Sequence, residues 1–241
     1  MSEKLRLDRF ISDCCDLSRK QAVPVIREGR VSVDGKVIKE PGLKIDDHAS
    51  VMLDDKKLEY SRFCYYMFNK PAGCVSAVKD KLSETVLSYL KGVHIEGLFP
   101  IGRLDKDTEG LLFITNDGKL CHNLISPRKQ VEKVYYVVSD KELDEKAFKA
   151  FEDGIDIGEE KKCLPAVIKA VDNMDDNTGY AYELTITEGR FHQVKRMFIA
   201  VGAKVMYLKR VAIGGVSLDR DLEKGAYRRL TKEEIELLKR E

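Results

Sequence analysis

Apolar residues recur every three or four positions at the start of the chain, which predicts an amphipathic helix. The residues on this face are Leu7, Phe10, Ile11 and Cys14. A second helix is predicted after Ser18, because Ser18 and Gln21 have the spacing of a capping box. Pro24 lies inside that second segment and predicts a kink, since proline has no amide hydrogen to donate.

An alternating apolar pattern follows in residues 31–38, with Asp34-Gly35 at its centre. This pattern predicts a β-hairpin, because Asp-Gly is a favoured two-residue hairpin turn. Residues 53–61 are polar and charged, which predicts a linker. We therefore expect a small module in residues 1–55 and a second domain in residues 60–241.

The second domain mixes strand and helix patterns. Runs of apolar and aromatic residues predict strands at residues 63–68, 111–115, 134–139, 166–171 and 180–187. Residues 175–179 are predicted to form a turn between the last two. Helices are predicted at residues 144–152 and 192–201, after the cap Asp117, and after the capping box that begins at Thr231. This mixture predicts an α+β fold.

Composition narrows the class of protein further. The chain has 241 residues and is 43% hydrophobic, which is enough for a sizeable core. It has neither a run of about 20 apolar residues nor a signal-peptide stretch, so we expect no membrane association. The six cysteines form no CxxC pair, so we expect reduced thiols, no zinc site and a cytoplasmic location.

Charge is abundant but balanced, with 42 Lys and Arg against 41 Asp and Glu. Nucleic-acid binding would therefore depend on local clusters. One such cluster, residues 188–210, has a single acid, Glu188, and six basic residues: Arg190, Lys195, Arg196, Lys204, Lys209 and Arg210. The Walker, GxGxxG, HExxH and GxSxG motifs are absent, so nucleotide hydrolysis, dinucleotide redox, zinc proteolysis and esterase chemistry have no local support.

Two segments carry candidate chemistry. Residues 101–112 form a charged loop between two glycines, and the loop contains Asp105 ahead of an apolar strand. In residues 188–198, helical spacing puts Lys195 on the flank of the apolar face, whereas Arg196 points away towards solvent or phosphate. Taken separately, Asp105 and Lys195 are better explained as a turn carboxylate and a surface lysine.

Together these segments resemble the motifs of bacterial ribosomal-RNA pseudouridine synthases. The matching segments are Gly102-Arg103-Leu104-Asp105, Lys133-Val134-Tyr135, Gly189-Arg190-Phe191-His192-Gln193-Val194-Lys195-Arg196, and Leu208-Lys209-Arg210. The first fifty residues resemble the small alpha-L RNA-binding domain of the S-four type. Within the family the chain resembles the small-subunit branch, RsuA. Lys129-Gln130 departs from the histidine expected after Ser126-Pro127-Arg128.

The resemblance implies isomerisation of a uridine to pseudouridine in 16S ribosomal RNA, at uridine 516, without a metal, nucleotide or redox cofactor. It makes Asp105 the essential carboxylate, which either attacks the ribose or assists glycal formation. Lys195 would be the nearby cation that keeps this carboxylate ionised in a cleft. Tyr135 would stack on the uracil, and Arg103 would fill the space that the flipped base leaves.

The expected partner is 16S ribosomal RNA or a small-subunit assembly intermediate, bound by a monomer. Besides Arg103, the candidate RNA-binding residues are Arg19, Lys20, Arg30, Lys36, Arg190 and Arg196. The module's charges also fit ordinary solvated residues, since nearby acids nearly cancel them. Two alternative functions remain: modification of large-subunit RNA, and a non-catalytic role in ribosome assembly.

Overall fold

The structure is a computed structural model that describes residues 4–15, 17–46, 48–58, 60, 63–93, 97–173 and 178–240. The chain divides into two compact units. The smaller unit comprises residues 1–64 and 90–98, and the larger unit comprises residues 65–89 and 99–241. Across the described residues, none of the helices has both the length and the hydropathy that a membrane span requires.

The smaller unit contains two helices and six short strands among its described residues. In chain order they are β1 (Lys4–Arg6), α1 (Leu7–Cys15), α2 (Arg19–Arg27), β2 (Val31–Val33), β3 (Lys36–Ile38), β4 (Lys44–Asp46), β5 (Val51–Leu53) and β6 (Lys56–Lys57). Strands β3-β2-β5-β6 form one sheet in that order, and β1 pairs with β4. One apolar core joins the helices to the strands and includes Phe10, Ile26 and Val31.

The two helices, the capping box and the hairpin predicted for this unit are confirmed, whereas no kink at Pro24 interrupts α2. The capping box is present, because Gln21 N donates to Ser18 Oγ and Ser18 N donates to Gln21 Oε1. Helix α2 continues through Pro24, whose carbonyl accepts from Glu28 N at 2.9 Å. Asp34 and Gly35 both have positive φ, 48° and 80°, as a two-residue hairpin turn requires.

The stretch expected to be a linker contains structure. Asp54 and Asp55 both adopt positive φ and turn the chain, so that β6 pairs antiparallel with β5. The alternation in this stretch is too short and too polar to predict a strand. The division into residues 1–55 and 60–241 stays a prediction, but β6 extends the smaller unit beyond residue 55.

The larger unit is a mixed sheet with helices. Its elements are β7 (Tyr65–Lys70), β8 (Phe99–Pro100), β9 (Glu109–Thr115), α3 (Gly118–Ile125), β10 (Lys133–Ser139), α4 (Glu145–Asp153), β11 (Val167–Ala170), β12 (Tyr180–Ile186), α5 (Gln193–Ala200), β13 (Val205–Ile213), β14 (Val216–Ser217), β15 (Tyr227–Arg229) and α6 (Lys232–Arg240). The strand order is β11-β12-β10-β13-β9-β7-β15, with β14 beside β13 and β8 beside β9. The pairing of β9 with β13 is parallel.

Capping and alternation explain most of these elements. Asp117 Oδ1 accepts from Lys119 N and Leu120 N, so the predicted cap of α3 is confirmed. Thr231 caps α6 in the same way, because its hydroxyl accepts from Glu234 N. The five strand predictions are confirmed with shifted ends. The turn predicted at residues 175–179 falls partly outside the described residues, since 174–177 are not described.

Gly110 explains how β9 can lie beside β13. It is the register partner of Arg210 and has a φ of 97°. A Cβ at this position would collide with the carbonyl oxygen of Arg210. Glycine is therefore required at position 110. The close pairing brings the loop before β9 next to β13 and to α5, the helix that precedes β13 in the chain.

Candidate active site

The loop of residues 102–108 is held by a buried lysine. Lys70, at the end of β7, is fully buried, and its Nζ donates to the carbonyl oxygens of Asp105 and Thr108 at 3.0 and 2.8 Å. Burial lowers the pKa of Lys70. Ser76 Oγ fixes the loop from a second point, because it accepts from Leu104 N and donates to Leu104 O, both at 3.0 Å. The backbone that carries Asp105 is thus fixed on both sides.

Asp105 faces two basic side chains. Its Oδ2 lies 3.3 Å from Lys195 Nζ, and its Oδ1 lies 3.5 Å from His192 Nε2. Lys195 Nζ also lies 2.6 Å from Asp107 Oδ1, so one ammonium group serves two carboxylates. Asp105 has 26% of its side chain exposed, whereas Asp107 has 72% exposed. Of the two, Asp105 is the carboxylate that belongs to a partly enclosed site.

The charges around Lys195 change its pKa and that of Asp107. Partial burial lowers the pKa of Lys195, but the hydrogen bond to Asp107 and the charges of Asp105 and Asp107 outweigh it and raise the pKa. The hydrogen bond from Lys195 holds the pKa of Asp107 below its usual range. Lys195 therefore stays charged throughout the range in which proteins work.

Helix α5 sets the direction of Lys195. Val194, Met197 and Phe198 are buried, and Lys195 lies on the flank of that apolar face. Phe198 packs against Phe151 of α4, with ring centroids 5.4 Å apart. The helix is thereby fixed to the unit's core, and Lys195 is directed towards the loop of residues 102–108.

Tyr135 lies on β10, opposite Leu184 of β12 and Arg210 of β13. It is buried and lines the same pocket as Asp105. The next residue, Tyr136, belongs to a different cluster with Val138 and Ala181, and its hydroxyl donates to Asn173 Oδ1 at 2.8 Å. Alternation along the strand thus separates the two tyrosines, and only Tyr135 lines the pocket.

The pocket has a volume of about 650 Å³. Its walls come from the loop of residues 102–108, strands β10, β12 and β13, and the turn before α5. Two acids, Asp80 and Asp105, line it together with six Lys and Arg residues: Arg103, Lys106, Lys133, Arg190, Lys195 and Arg210. A chain with nearly balanced charge therefore has a strongly basic pocket, which suits a polyanion such as RNA.

Two predicted RNA-binding arginines already have protein partners. Arg196 Nη1 pairs with Glu159 Oε1 at 2.5 Å, and Arg196 Nη2 donates to Ile157 O at 2.6 Å. Arg190 pairs with Glu188 and Glu159. The expectation that Arg196 meets solvent or phosphate stays a prediction, although helical spacing did not reveal the acid that pairs with it. Arg103, by contrast, is exposed at the pocket.

In the smaller unit, too, some of the predicted RNA-binding residues are paired with an acidic residue and others are not. Arg30 is paired through two nitrogens with the carboxylate of Asp54, at 2.9 and 2.5 Å. Arg19 is half-buried. Lys20 and Lys36 are exposed, and no ion pair involves them in the part of the unit that the structure describes.

Some site residues were not found from the sequence. The sequence predicted no role for Lys70, Asp107 or His192. Lys70 and His192 are distant from Asp105 in the chain and approach it only in the folded structure, whereas Asp107 lies two residues after it. Within the described ranges, no group of three or more His, Cys, Asp or Glu side chains is arranged to hold a metal ion.

Comparison with known proteins agrees with this geometry. The model of the RNA pseudouridylate synthase family matches residues 64–200, and the S4 domain model matches residues 5–51. The chain therefore belongs to the RNA pseudouridylate synthase family, and it carries an S4 domain at its N-terminal end. The predicted family and the predicted α+β fold are both confirmed.

Full-length relatives point to the same class of enzyme. The chain is 42% identical to an uncharacterized RNA pseudouridine synthase, YtzG, of Bacillus subtilis strain 168, over 97% of this chain and 98% of the relative. It is 40% identical to ribosomal small subunit pseudouridine synthase A of Escherichia coli K12, over 96% and 98%. A crystal structure of a pseudouridylate synthase superposes with a TM-score of 0.67 at 39% identity, covering 97% and 99% of the two chains.

Proposed function

We propose that this enzyme isomerises one uridine of 16S ribosomal RNA to pseudouridine, with Asp105, Tyr135 and Lys195 as its catalytic residues. The observation that carries the proposal is the 3.3 Å approach of Lys195 Nζ to Asp105 Oδ2 in a basic pocket that Tyr135 also lines. Similarity over nearly the whole chain to small-subunit enzymes supports the 16S target.

The reaction replaces one bond of the nucleotide by another. The bond between uracil N1 and ribose C1′ breaks, the base turns, and a bond between uracil C5 and C1′ forms. Asp105 acts in its ionised form, either as a nucleophile at the ribose or by assisting glycal formation. The ammonium group of Lys195 favours that ionised form, because an opposite charge within about 4–6 Å stabilises a carboxylate.

Two further residues handle the base. The target uridine must leave its stack, which costs a few kcal/mol. Tyr135 offers an aromatic face in the pocket, and stacking on such a face is worth about 1–3 kcal/mol per base. Arg103, which is exposed within the loop of residues 102–108, fills the space that the base leaves.

The S4 domain supplies additional RNA contacts through its exposed cations, Lys20 and Lys36. We propose uridine 516 as the site of modification, because the resemblance of the sequence motifs implies it. The substrate is the 16S RNA itself or an assembly intermediate of the small subunit, and the enzyme acts on it as a monomer in the cytoplasm, without a cofactor.

Mapping pseudouridine across ribosomal RNA tests the target. A strain that lacks the protein is expected to lose a single pseudouridine in 16S RNA. A plasmid copy of the wild type restores it, and an Asp105→Asn copy expressed at the same level does not. Loss of a pseudouridine in large-subunit RNA, or no loss at all, would contradict the proposed substrate.

A further inference from the structure

The pocket contains two buried polar atoms that have no hydrogen-bond partner in the protein. They are Thr108 Oγ1 and Arg210 Nη2, and the two residues are only 1% and 3% exposed. Leaving a buried donor unpaired is unfavourable, so such atoms call for an explanation. Both residues line the pocket that contains Asp105, which places unsatisfied polar groups at its wall, although the two atoms themselves have less than 1 Å² of accessible surface.

Arg210 is held firmly in place by the sheet. It lies on β13 directly opposite Tyr135, and its Nε donates to Leu111 O at 2.8 Å. Nη2 is buried without a partner, and no hydrogen bond joins Nη1 to a described residue, so this permanently charged group has donors left for a ligand.

Lys133 is the second cation of this group. It precedes Tyr135 by two residues on β10, so both side chains lie on the same face of the strand. Its Nζ donates to Val131 O at 2.7 Å, which uses one of its three hydrogens. Its register partners on β12 and β13 are Ile186 and Ile213. Neither Lys133 nor Arg210 forms an ion pair within the described residues.

We propose that Lys133 and Arg210 bind the carbonyl oxygens of the uracil ring and stabilise the negative charge that the ring acquires during the reaction. When the N1–C1′ bond breaks, the electron pair stays on N1, and the charge spreads to O2 and O4. The C5–C1′ bond then forms, C5 loses its proton to solvent, and N1 takes up a proton, so the composition of the nucleotide is unchanged. Lys195 is already balanced by two carboxylates, whereas this pair is not.

The environment of Lys133 makes its charge titrate near working pH. Burial, with the charge of Arg210 as a second cause, lowers the pKa of Lys133 to about 8. Its charged state therefore decreases as pH rises through that value. The other ionisable groups of this pocket are Asp80, Arg103, Asp105, Lys106, Tyr135, Arg190, His192, Lys195 and Arg210.

Variants of Lys133 test the proposal, which rests on the proposed isomerisation in this pocket. With saturating RNA in single-turnover reactions, Lys133→Met should react at least about 100-fold more slowly than wild type, a typical cost of removing one donor to a developing negative charge. Its Kd for RNA should change less than about threefold. Lys133→Arg should retain activity within about tenfold. The kcat/KM of the wild type should decrease above about pH 8, and that of Lys133→Arg should not. Lys146→Met, an exposed lysine of α4, is the matched control.

Replacing oxygen by sulfur in the base provides a second test. The target uridine of the RNA fragment is replaced by 2-thiouridine or 4-thiouridine, since sulfur is the weaker hydrogen-bond acceptor. At least one substitution should slow the wild type and should slow Lys133→Met much less, as expected for two partners of one interaction. Equal effects on both proteins would overturn the proposal.

Two other results would also overturn it. If Lys133→Met only weakens RNA binding and lowers the salt slope, Lys133 contacts phosphate. If Lys133→Arg is as slow as Lys133→Met and both unfold at lower temperature, the role is structural. Asp105→Asn is measured in parallel. An active Asp105→Asn contradicts the proposed function, whereas an inactive Asp105→Asn beside a fully active Lys133→Met contradicts only the role of the cation pair.

Discussion

The pocket contains two groups of cations that differ in their partners. Lys195 is shared between Asp105 and Asp107, at 3.3 and 2.6 Å. Lys133 and Arg210 line the same pocket, and no carboxylate pairs with either of them within the described residues. The charge of Lys195 is used by the two carboxylates beside it, whereas the charges of Lys133 and Arg210 are available to an electron-rich ligand. The three cations therefore have different functions.

Removing Lys195, the cation that two carboxylates neutralise, should lower activity strongly. Lys195→Met is expected to lower turnover about 100-fold, because Asp105 loses its ammonium partner. Lys195→Arg restores a charge at the same place and is the control. An unchanged turnover in Lys195→Met would contradict the assignment of this partner.

Arg196 extends the comparison to the next residue of the helix. Arg196→Met should lower the free energy of unfolding by about 1–2 kcal/mol, because Ile157 O loses its donor. RNA affinity and its salt dependence should be unchanged, since the guanidinium group is already paired with Glu159. Urea denaturation and RNA titration measure both, beside the exposed control Arg220→Met. A lower salt slope with unchanged stability would return Arg196 to the RNA-binding residues.

The smaller unit contains one cation with an acidic partner and one without, so the same comparison can be made there. Lys36 is exposed, whereas Arg30 is held by Asp54. Lys36→Gln should weaken RNA binding about two- to fivefold and lower the salt slope by about one, as for the loss of one phosphate contact. Arg30→Gln should change both quantities less. A larger loss of RNA affinity in Arg30→Gln than in Lys36→Gln would contradict the expectation that cations without an acidic partner bind the RNA.

The smallest effect is expected at Asp107. This residue is close to the same ammonium group as Asp105, but it is mostly exposed, and exposed ion pairs contribute little. Asp107→Asn should keep turnover within about threefold, although the pKa of Lys195 should fall because one of its anionic partners is gone. A loss as large as that of Asp105→Asn would show that the two carboxylates are not distinct.

Local features of this fold were accessible from the sequence because short-range chemistry determines them. The caps Ser18, Asp117 and Thr231 and the Asp34-Gly35 turn each depend on residues within a few positions. The strand order was not accessible, because periodicity does not specify a distant partner such as β13 beside β9. Strand β6 was missed because its two residues carry no apolar signal.

The candidate site divides in the same way. Helical spacing indicated that Lys195, and not Arg196, reaches a cleft, and the distance to Asp105 agrees with this. The same spacing gave no indication of Glu159, which lies 37 positions earlier and holds Arg196. The unpaired Arg210 Nη2 is visible only once strand pairing has buried it. Contacts that depend on strand pairing or on distant loops therefore require the structure.

Tritium release is the most direct test of the central claim that Asp105 is the reactive carboxylate. RNA labelled with tritium at uracil C5 loses the label when C5 bonds to ribose, so release reports the isomerisation itself. Wild type should release the label, and folded Asp105→Asn should release it at least about 1,000-fold more slowly, while RNA binding stays within about threefold. Release by Asp105→Asn at a rate near that of wild type would contradict the account.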